Sequence, residues 1–359
     1  MKILYDYSIF THQSLGGISR YFINLDREIN KKKYISNIIA PAHYNKFLNE
    51  YSNYKGIYLK KFPRFTSKIF NIYNKMTTLN FIKFNQPNIY HKTYYNNFWP
   101  NNFKGKKFLT VYDLIHEKFY KDYNFSYNHR PKKKDLDNTD GIIAISNNTK
   151  SDLINYYNIP SNKIYVTHLG INFETFRFSK KIIDDPFILF VGDRKRYKNF
   201  ENLLKAYSFS EKINKSFKLV VFGGGNFFDN EKKMINEFHL NEKHILKIDG
   251  DDKVLSNLYK SASLFVFPSK YEGFGLPLLE AASNNCPIAC SRIEVFQEIM
   301  NDNVIYFDPY SVEEIIECLE KVLWSGSIQK KLITGAKENL INFSWEKCSE
   351  ETLKIYKNL

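Results

Sequence analysis

Short apolar runs rich in β-branched residues alternate along the chain with segments in which apolar residues recur every three or four positions. The predicted strands are KILYD, ISNIIA, NIYHK, KFLTVYD, GIIAIS and KIYVTH, followed by FILFVG, KLVVFGG, ILKID, SLFVFPS, PIACS and VIYFD. Strands that alternate with helices predict an α/β fold with parallel sheets. The alternation breaks around INFETFRFSKKIIDDP and then restarts, which indicates two halves, each a doubly wound, Rossmann-like sheet.

This break divides the chain into predicted domains. We place the first domain at residues 1–172, a linker at 173–186 and the second domain at 187–344, and we expect the last helix, 345–359, to pack back on the first domain. With 359 residues the chain is long enough for two cores. Two facing Rossmann-like domains form a cleft, and ligands of such sheets bind at the carboxyl ends of strands.

The composition is that of a folded globular protein, with 43% hydrophobic and 25% charged residues. No apolar run reaches the roughly 18 residues that a membrane span needs, and MKILYDYSIF predicts a strand rather than an export signal. We therefore expect a cytoplasmic protein. The four cysteines are expected to be buried thiols, because no further Cys or His completes a zinc site; they are Cys286, Cys290, Cys318 and Cys348.

The net charge is +14, and the basic residues are distributed unevenly along the chain. Residues 41–83 carry eight Lys or Arg and one acid, Glu50, interleaved with Tyr and Phe. That mixture suits peripheral contact with an anionic membrane, and a solvated basic face explains it equally well. Charge alone also permits nucleic-acid binding, but the sequence contains no recognised nucleic-acid motif, so we expect none.

The most informative segment is YEGFGLPLLEAA, which follows the predicted strand SLFVFPS. Gly273 and Gly275 allow the backbone to approach a ligand closely, and the N–H groups at the start of the following helix form a natural phosphate site. Glu272 on the turn and Glu280 about one turn into the helix can accept hydrogen bonds from sugar hydroxyls. Two carboxylates beside a phosphate site predict a nucleotide sugar as ligand.

This E-x7-E segment with GFG inside it resembles the signature of retaining glycosyltransferases of family 4, which have the GT-B fold. The strand FILFVG followed by DRKRYKNF resembles the basic segment that such enzymes place on the donor diphosphate. Fixed cations there would stabilise the negative charge on the departing nucleoside diphosphate. The resemblance extends over nearly the whole chain and implies a catalytic set of Asp113, His116, Arg194, Lys198 and Glu272.

The resemblance also implies two binding sets. LGGISRYFINL resembles the family's glycine-rich loop, and the implied donor set is Gly16, Gly17, Arg194, Lys198, Glu272, Gly273, Phe274, Gly275, Leu276 and Glu280. IYHKTYYNN resembles an element on the acceptor side, and the implied acceptor set is Arg20, His91, Tyr94 and Tyr95. A histidine in such a tyrosine-rich run is more often a packed residue than a catalyst.

Three further features bear on this interpretation. Asp249-Gly250-Asp251 is a D-x-D pattern, but it lies late in the second half, and we predict no catalytic metal and no cofactor. FGGGNFF lacks the G-x-G-x-x-G spacing of a dinucleotide site, so we expect it only to turn the chain. Asn285 stands where relatives often have glycine, and because Asn tolerates left-handed φ we expect the same backbone shape.

The sequence therefore predicts a retaining, metal-independent hexosyltransferase that uses a nucleoside diphosphate sugar. Its acceptor would be a glycan or a lipid-linked oligosaccharide in surface polysaccharide synthesis, such as O-antigen or capsule. Two alternatives are a non-catalytic GT-B subunit that activates a partner transferase and a GT-B nucleotide-sugar epimerase. The sequence leaves open which nucleotide and which sugar are used.

Overall fold

The computed structural model describes residues 1–96, 98–120, 130–172 and 180–359. These residues form two compact units. Unit 1 comprises Met1–Gly170 together with Phe343–Leu359, and unit 2 comprises Ile171–Asn342. The first part of the predicted linker, residues 173–179, lies outside the described residues.

Unit 1 is built on a seven-stranded parallel sheet. Its strands are β1 (Lys2–Tyr5), β2 (Ile35–His43), β3 (Tyr54–Tyr58), β4 (Ile89–Lys92), β5 (Lys106–Val111), β6 (Gly141–Ala144) and β7 (Ile164–Val166). They lie in the order β3-β2-β1-β4-β5-β6-β7. The helices of this part of the chain are α1 (Gly17–Lys31), α2 (Lys46–Asn49), α3 (Ser67–Asn85), α4 (Ile115–Lys118), α5 (Arg130–Asp137) and α6 (Asn147–Tyr157).

Unit 2 has a six-stranded parallel sheet. Its strands are β8 (Phe187–Val191), β9 (Lys218–Phe222), β10 (Ile245–Ile248), β11 (Leu264–Phe267), β12 (Ile288–Ser291) and β13 (Ile305–Phe307), in the order β10-β9-β8-β11-β12-β13. Its helices are α7 (Phe200–Phe209), α8 (Glu211–Ser216), α9 (Asp229–Glu237), α10 (Asp252–Ser261), α11 (Leu276–Ser283), α12 (Glu294–Met300), α13 (Val312–Leu323) and α14 (Gly326–Asn339).

Both sheets reverse their strand order at one point, between β1 and β4 in unit 1 and between β8 and β11 in unit 2. The connections leaving the two strands on either side of such a point run in opposite directions, so a crevice opens at their carboxyl ends. Strands with near-continuous apolar sequences form these central positions; β8 and β11 are buried at every residue. The predicted doubly wound α/β class is confirmed.

The last helix, α15 (Trp345–Asn358), belongs to unit 1, as predicted, and packs against α1. At the start of α15 the backbone passes so close to Gly170 that a Cβ there would lie 2.3 Å from the backbone N of Trp345. Near its end, the Tyr356 hydroxyl contacts His91 of β4, and its ring packs 4.8 Å from that of Phe108 on β5. The C-terminal helix is thus part of the unit 1 core.

Candidate functional site

Two loops meet at the carboxyl ends of β8 and β11 in unit 2. The backbone N–H of Lys270 donates to the carbonyl of Tyr197 at 2.7 Å, which joins the loops. This contact brings the Lys198 ammonium to 2.6 Å from the Glu272 carboxylate. The two residues are separated by 74 positions in the chain, and the strand reversal places them side by side.

Two aromatic rings flank the lysine of this ion pair. The Lys198 ammonium lies 5.1 Å from the centroid of the Phe267 ring and 5.3 Å from that of the Tyr197 ring. Only 13% of the Lys198 side chain and 11% of the Glu272 side chain are exposed. Charges in such a sheltered position act more strongly on a ligand than charges in water. The ammonium can bind a phosphate oxygen, and the carboxylate can accept a sugar hydroxyl.

The turn after Glu272 starts helix α11 as the sequence predicts. Gly275 has a φ of 121°, which favours glycine, and it precedes the first residue of α11, Leu276. Pro277 occupies the first turn, where a missing N–H does no harm. In this first turn the N–H of Leu278 donates to the carbonyl of Gly275 at 2.9 Å. Gly273 and Phe274 are buried in the same turn.

The second acid, Glu280, lies on α11 and contacts a buried tyrosine. The Tyr259 hydroxyl donates to its carboxylate at 3.3 Å. Burial, followed by the charge of Glu280, raises the pKa of Tyr259 well above its ordinary value, so this hydroxyl keeps its proton. Asn285, beyond the end of α11, has a φ of 55°. The expected left-handed backbone at this position is confirmed.

Arg194 has a different environment from the one expected for a phosphate ligand. Its side chain is buried, and its Nε donates to Glu231 at 2.9 Å. Its other donors hold backbone carbonyls of the loop after β9, at Gly223 (3.1 Å), Gly225 (3.2 Å) and Asn226 (2.7 Å). Arg194 therefore fixes the glycine loop, and among the predicted cations Lys198 is the one that lies beside Glu272.

The three glycines that follow β9 have backbone angles that favour glycine. Gly223, Gly224 and Gly225 all have positive φ, between 69° and 84°. A Cβ on Gly224 would lie 2.7 Å from Nη1 of Arg194. The loop thus turns the chain, as predicted, around a buried guanidinium.

The D-x-D segment has local structural roles. Asp249 pairs with Lys247 at 2.6 Å, and Asp251 caps α10 by accepting the N–H groups of Lys253 and Val254. Among the described residues, no group of three or more His, Cys, Asp or Glu is arranged to hold a metal ion. The four cysteines are free thiols, and all but Cys318 are buried.

Unit 1 contains a pocket of about 340 Å³ at its own strand reversal. It is lined by residues that follow β1, β2, β3 and β4 and by one side of α3, namely Tyr7, Ser8, Thr11, His12, Tyr44, Phe62, Ser67, Asn71, Asn74, Tyr94, Tyr95 and Asn96. The Tyr94 ring lies 4.9 Å from that of His12 and 4.9 Å from that of Tyr95. Aromatic faces beside amide and hydroxyl groups suit the binding of a sugar ring.

A buried polar network supports this pocket. Asp6, after β1, accepts the N–H and the hydroxyl of Thr93, both at 2.7 Å, and also the hydroxyl of Ser8. Asn96 donates to Ser8 at 2.6 Å. The Asn96 N–H in turn donates to Asp135, whose carboxylate pairs with Lys92 at 2.5 Å. Both side chains of this pair are fully buried.

The other predicted residues of unit 1 take different positions. Asp113 follows β5 and accepts the N–H of Ile115 at 3.0 Å. Burial, followed by the charge of Asp113, raises the pKa of Tyr94 to about 12. His116 lies on α4 and is partly exposed. Gly16 and Gly17 begin α1, and the Arg20 guanidinium stacks 4.0 Å from the centroid of the Phe47 ring.

His91 is a core residue and does not line the pocket, so the acceptor-side role expected of it does not fit its position. It is fully buried on β4, where its two ring nitrogens contact Tyr356 and Thr110. Burial lowers the pKa of His91 to about 3, so the ring is neutral.

The pocket residues Ser8, Asn71 and Asn96 were not predicted from the sequence. Ser8 and Asn96 follow strand ends and could have been found by that rule, whereas Asn71 lies on a helix.

Comparisons with known proteins agree with this geometry. Residues 15–175 match the family described as Glycosyltransferase Family 4, and residues 172–339 match the family Glycosyl transferases group 1. The two matches together span most of both units. The chain belongs to the GT-B glycosyltransferases of the family 4 type.

One relative of known name and two solved structures illustrate the likeness. The chain is 28% identical over 249 residues to O-antigen chain mannosyltransferase B of Escherichia coli, a match that covers 65% of the chain and just under two thirds (64%) of that relative. A glycosyltransferase of Rickettsia africae superposes with a TM-score of 0.74 at 21% identity, over 99% of this chain and 98% of that one. Anabaena HepE, solved with UDP-glucose, gives 0.75 at 12% identity over the full length of both.

Proposed function

We propose that the chain is a retaining glycosyltransferase that moves a hexose from a nucleoside diphosphate sugar to a glycan or lipid-linked acceptor in surface polysaccharide synthesis. The observation that carries this proposal is the sheltered Lys198–Glu272 pair, which lies at the strand reversal of unit 2 beside the start of α11. A nucleotide sugar offers a diphosphate to the cation and hydroxyl groups to the acid.

Unit 2 binds the donor and unit 1 binds the acceptor in this proposal. Glu280, which accepts the hydroxyl of Tyr259, would also accept hydroxyls of the ribose, and Lys198 would stabilise the leaving diphosphate. Asp113 and His116 would orient the reacting sugar or the acceptor, and the aromatic pocket would hold a sugar ring of the acceptor. The reaction would need no metal.

The names of the relatives suggest a particular sugar. O-antigen chain mannosyltransferases of E. coli and Salmonella typhimurium are among the similar proteins, so mannose is the first candidate for the transferred hexose. A structural neighbour was solved with UDP-glucose, so uridine nucleotides belong in the same test. We further propose a cytoplasmic protein that contacts an anionic membrane peripherally.

A thermal-shift screen tests the donor site. Wild-type protein and the variants Glu272→Gln and Glu280→Ala are heated with UDP, GDP, dTDP, CMP and their sugar conjugates, since a ligand bound to the folded state raises the melting temperature. We expect one nucleotide sugar to stabilise the wild type and both variants to lose most of that shift. Glu201→Ala, which removes an exposed acid from α7, is the matched control and should respond as the wild type does.

A transfer assay completes the test. With the donor identified by the screen, Glu272→Gln should lower kcat/KM by about 100-fold or more, because it removes a charged contact to the reacting sugar. Stabilisation by nucleotide sugar without any transfer would favour the non-catalytic subunit. Interconversion of the sugar without an acceptor would favour the epimerase.

A further inference from the structure

Helix α3 of unit 1 packs Phe81 and Ile82 partly buried against the core, but most of its large apolar side chains are exposed. Its buried residues are Asn74 and Thr78. Six large apolar side chains of the helix are exposed: Ile69 (65%), Ile72 (58%), Tyr73 (47%), Met76 (61%), Leu79 (39%) and Phe84 (80%). At 100° per residue these six positions fall within an arc of about 140° on one side of the helix. We call this arc the outer face of α3.

Specific hydrogen bonds fix the helix in this orientation. The Asn74 amide pairs with the backbone of Ala42 on β2, accepting its N–H at 2.7 Å and donating to its carbonyl at 3.0 Å. Asn71 accepts the hydroxyl of Tyr7 at 3.1 Å. Rotating the helix to bury its exposed apolar residues would break these hydrogen bonds. The exposed outer face is therefore built into the fold.

The charge around the outer face has one sign. Between Tyr51 and Tyr112 the sequence has no Asp or Glu. Five exposed cations lie in the loop before α3 or on the helix itself, namely Lys60, Lys61, Arg64, Lys68 and Lys83. None of the five forms an ion pair with a carboxylate among the described residues. The loop also holds Phe65 with a φ of 67° and 87% exposure, so a strained backbone presents an aromatic ring to the outside.

We infer that the outer face of α3 docks on an anionic lipid bilayer. Apolar side chains bordered by unpaired cations are the pattern of a helix that lies in the interface, with its apolar face among the acyl chains and its cations at the headgroups. No helix among the described residues, α3 included, is long and apolar enough to span a membrane. A second copy of the chain fits this face less well, because two such surfaces would bring like charges together.

Docking on this face has a consequence for the acceptor, which rests on the proposed function. The inner side of α3 lines the unit 1 pocket through Ser67, Asn71 and Asn74. One helix therefore carries the bilayer contact on one side and the pocket on the other. An acceptor whose sugar enters this pocket would then be lipid-linked, with its glycan held at the membrane surface.

Vesicle co-sedimentation tests the inference without any nucleotide present. The full chain is mixed with vesicles of phosphatidylcholine alone or of phosphatidylcholine with phosphatidylglycerol, at low and high salt. We expect binding to the anionic vesicles that weakens with salt. The variant Ile69→Ser/Ile72→Ser/Met76→Ser should bind at least roughly tenfold more weakly, since three large aliphatic side chains no longer enter the bilayer. Phe209→Ser/Ile341→Ser, which removes equally exposed side chains from unit 2, should bind normally.

The outcomes separate this inference from the proposed function. Equal binding of wild type and triple variant, or no binding to anionic vesicles, would overturn the docking surface. The docking surface would also be overturned if the wild type were a dimer in sedimentation, the triple variant were a monomer, and neither bound vesicles. The triple variant should keep the nucleotide-dependent thermal shift of the wild type. If no nucleotide sugar raised the melting temperature of the wild type, the proposed transferase function would be wrong, but the vesicle-binding result would still hold.

Discussion

The two strand reversals use buried charge in opposite ways. In unit 2 the Lys198–Glu272 pair keeps partial exposure of both side chains, so each can exchange its partner for a ligand group. In unit 1 the Lys92–Asp135 pair is fully buried beneath the pocket, and its second carboxylate oxygen is occupied by the N–H of Asn96. The first pair is suited to binding, and the second holds the shape of a pocket whose own lining is uncharged and aromatic.

The largest expected effect concerns the buried pair. Lys92→Met leaves the Asp135 carboxylate in the core without a cation, which should lower the free energy of unfolding by about 3–5 kcal/mol. Urea unfolding measures this change. The double variant Lys92→Met/Asp135→Leu should recover much of the loss, because it removes both charges.

Lys218→Met is the matched control for this prediction. It breaks the Lys218–Asp185 pair, whose side chains are 29% and 58% exposed, and should change stability by less than about 1 kcal/mol. If Lys92→Met were as mild as Lys218→Met, the interpretation of the buried pair as a structural support would be wrong.

Acid should destabilise unit 1 before unit 2. Burial lowers the pKa of His91 to about 3 and that of His43 to about 4, whereas both histidines in the unfolded chain titrate near 6.5. Between these values the unfolded state binds more protons, so the free energy of unfolding falls as the pH falls from about 6.5 towards 4. Each histidine contributes up to about 1.4 kcal/mol per pH unit.

Hydrogen exchange at pH 7, 6 and 5 can follow both units in one sample. Peptides from β1 and β4 should lose protection on acidification before peptides from β8 and β11. The histidines of the second unit, His239 and His244, lie at least partly exposed. Equal loss of protection in both units would show that the buried histidines do not control the acid response.

The strand–turn–helix structure that carries Glu272 and Glu280 could be predicted from the sequence because it is local. Glu272, Gly275 and Glu280 belong to one strand–turn–helix segment, and the rules for glycine and for helix starts apply within it. The strands were equally predictable from their apolar runs. The partner of Glu272 required only that β8 and β11 be neighbours, which the order of a doubly wound sheet supplies.

Other positions depended on contacts that no local pattern records. His91 is covered by Tyr356, which lies 265 residues later, so nothing around His91 itself announces its burial. Arg194 stands at a strand end, as a phosphate ligand would, but Glu231 and the glycine loop fold back over it. In both cases the residue type and the strand-end position were compatible with two environments, and a distant segment decided between them.

Arg194 offers a test of that decision. Arg194→Lys keeps the charge, but lysine cannot span Glu231 and three carbonyls, so we expect a loss of about 2 kcal/mol in stability and faster hydrogen exchange in residues 223–228. Any effect on transfer should appear mainly in KM for the donor. A fall in kcat with normal exchange in the glycine loop would instead place the guanidinium on the reacting diphosphate.

The smallest expected effect concerns Asn285, with its φ of 55°. A left-handed backbone costs an ordinary residue about 1–2 kcal/mol, and Asn or Gly avoids most of that cost. Asn285→Gly should therefore change stability by less than about 0.5 kcal/mol, whereas Asn285→Ala should destabilise unit 2 by about 1 kcal/mol, as measured by urea unfolding. If the two variants were equally stable, the end of α11 would require the side chain of Asn285 and not its backbone angle. The likeness to relatives with glycine at this position would then be fortuitous.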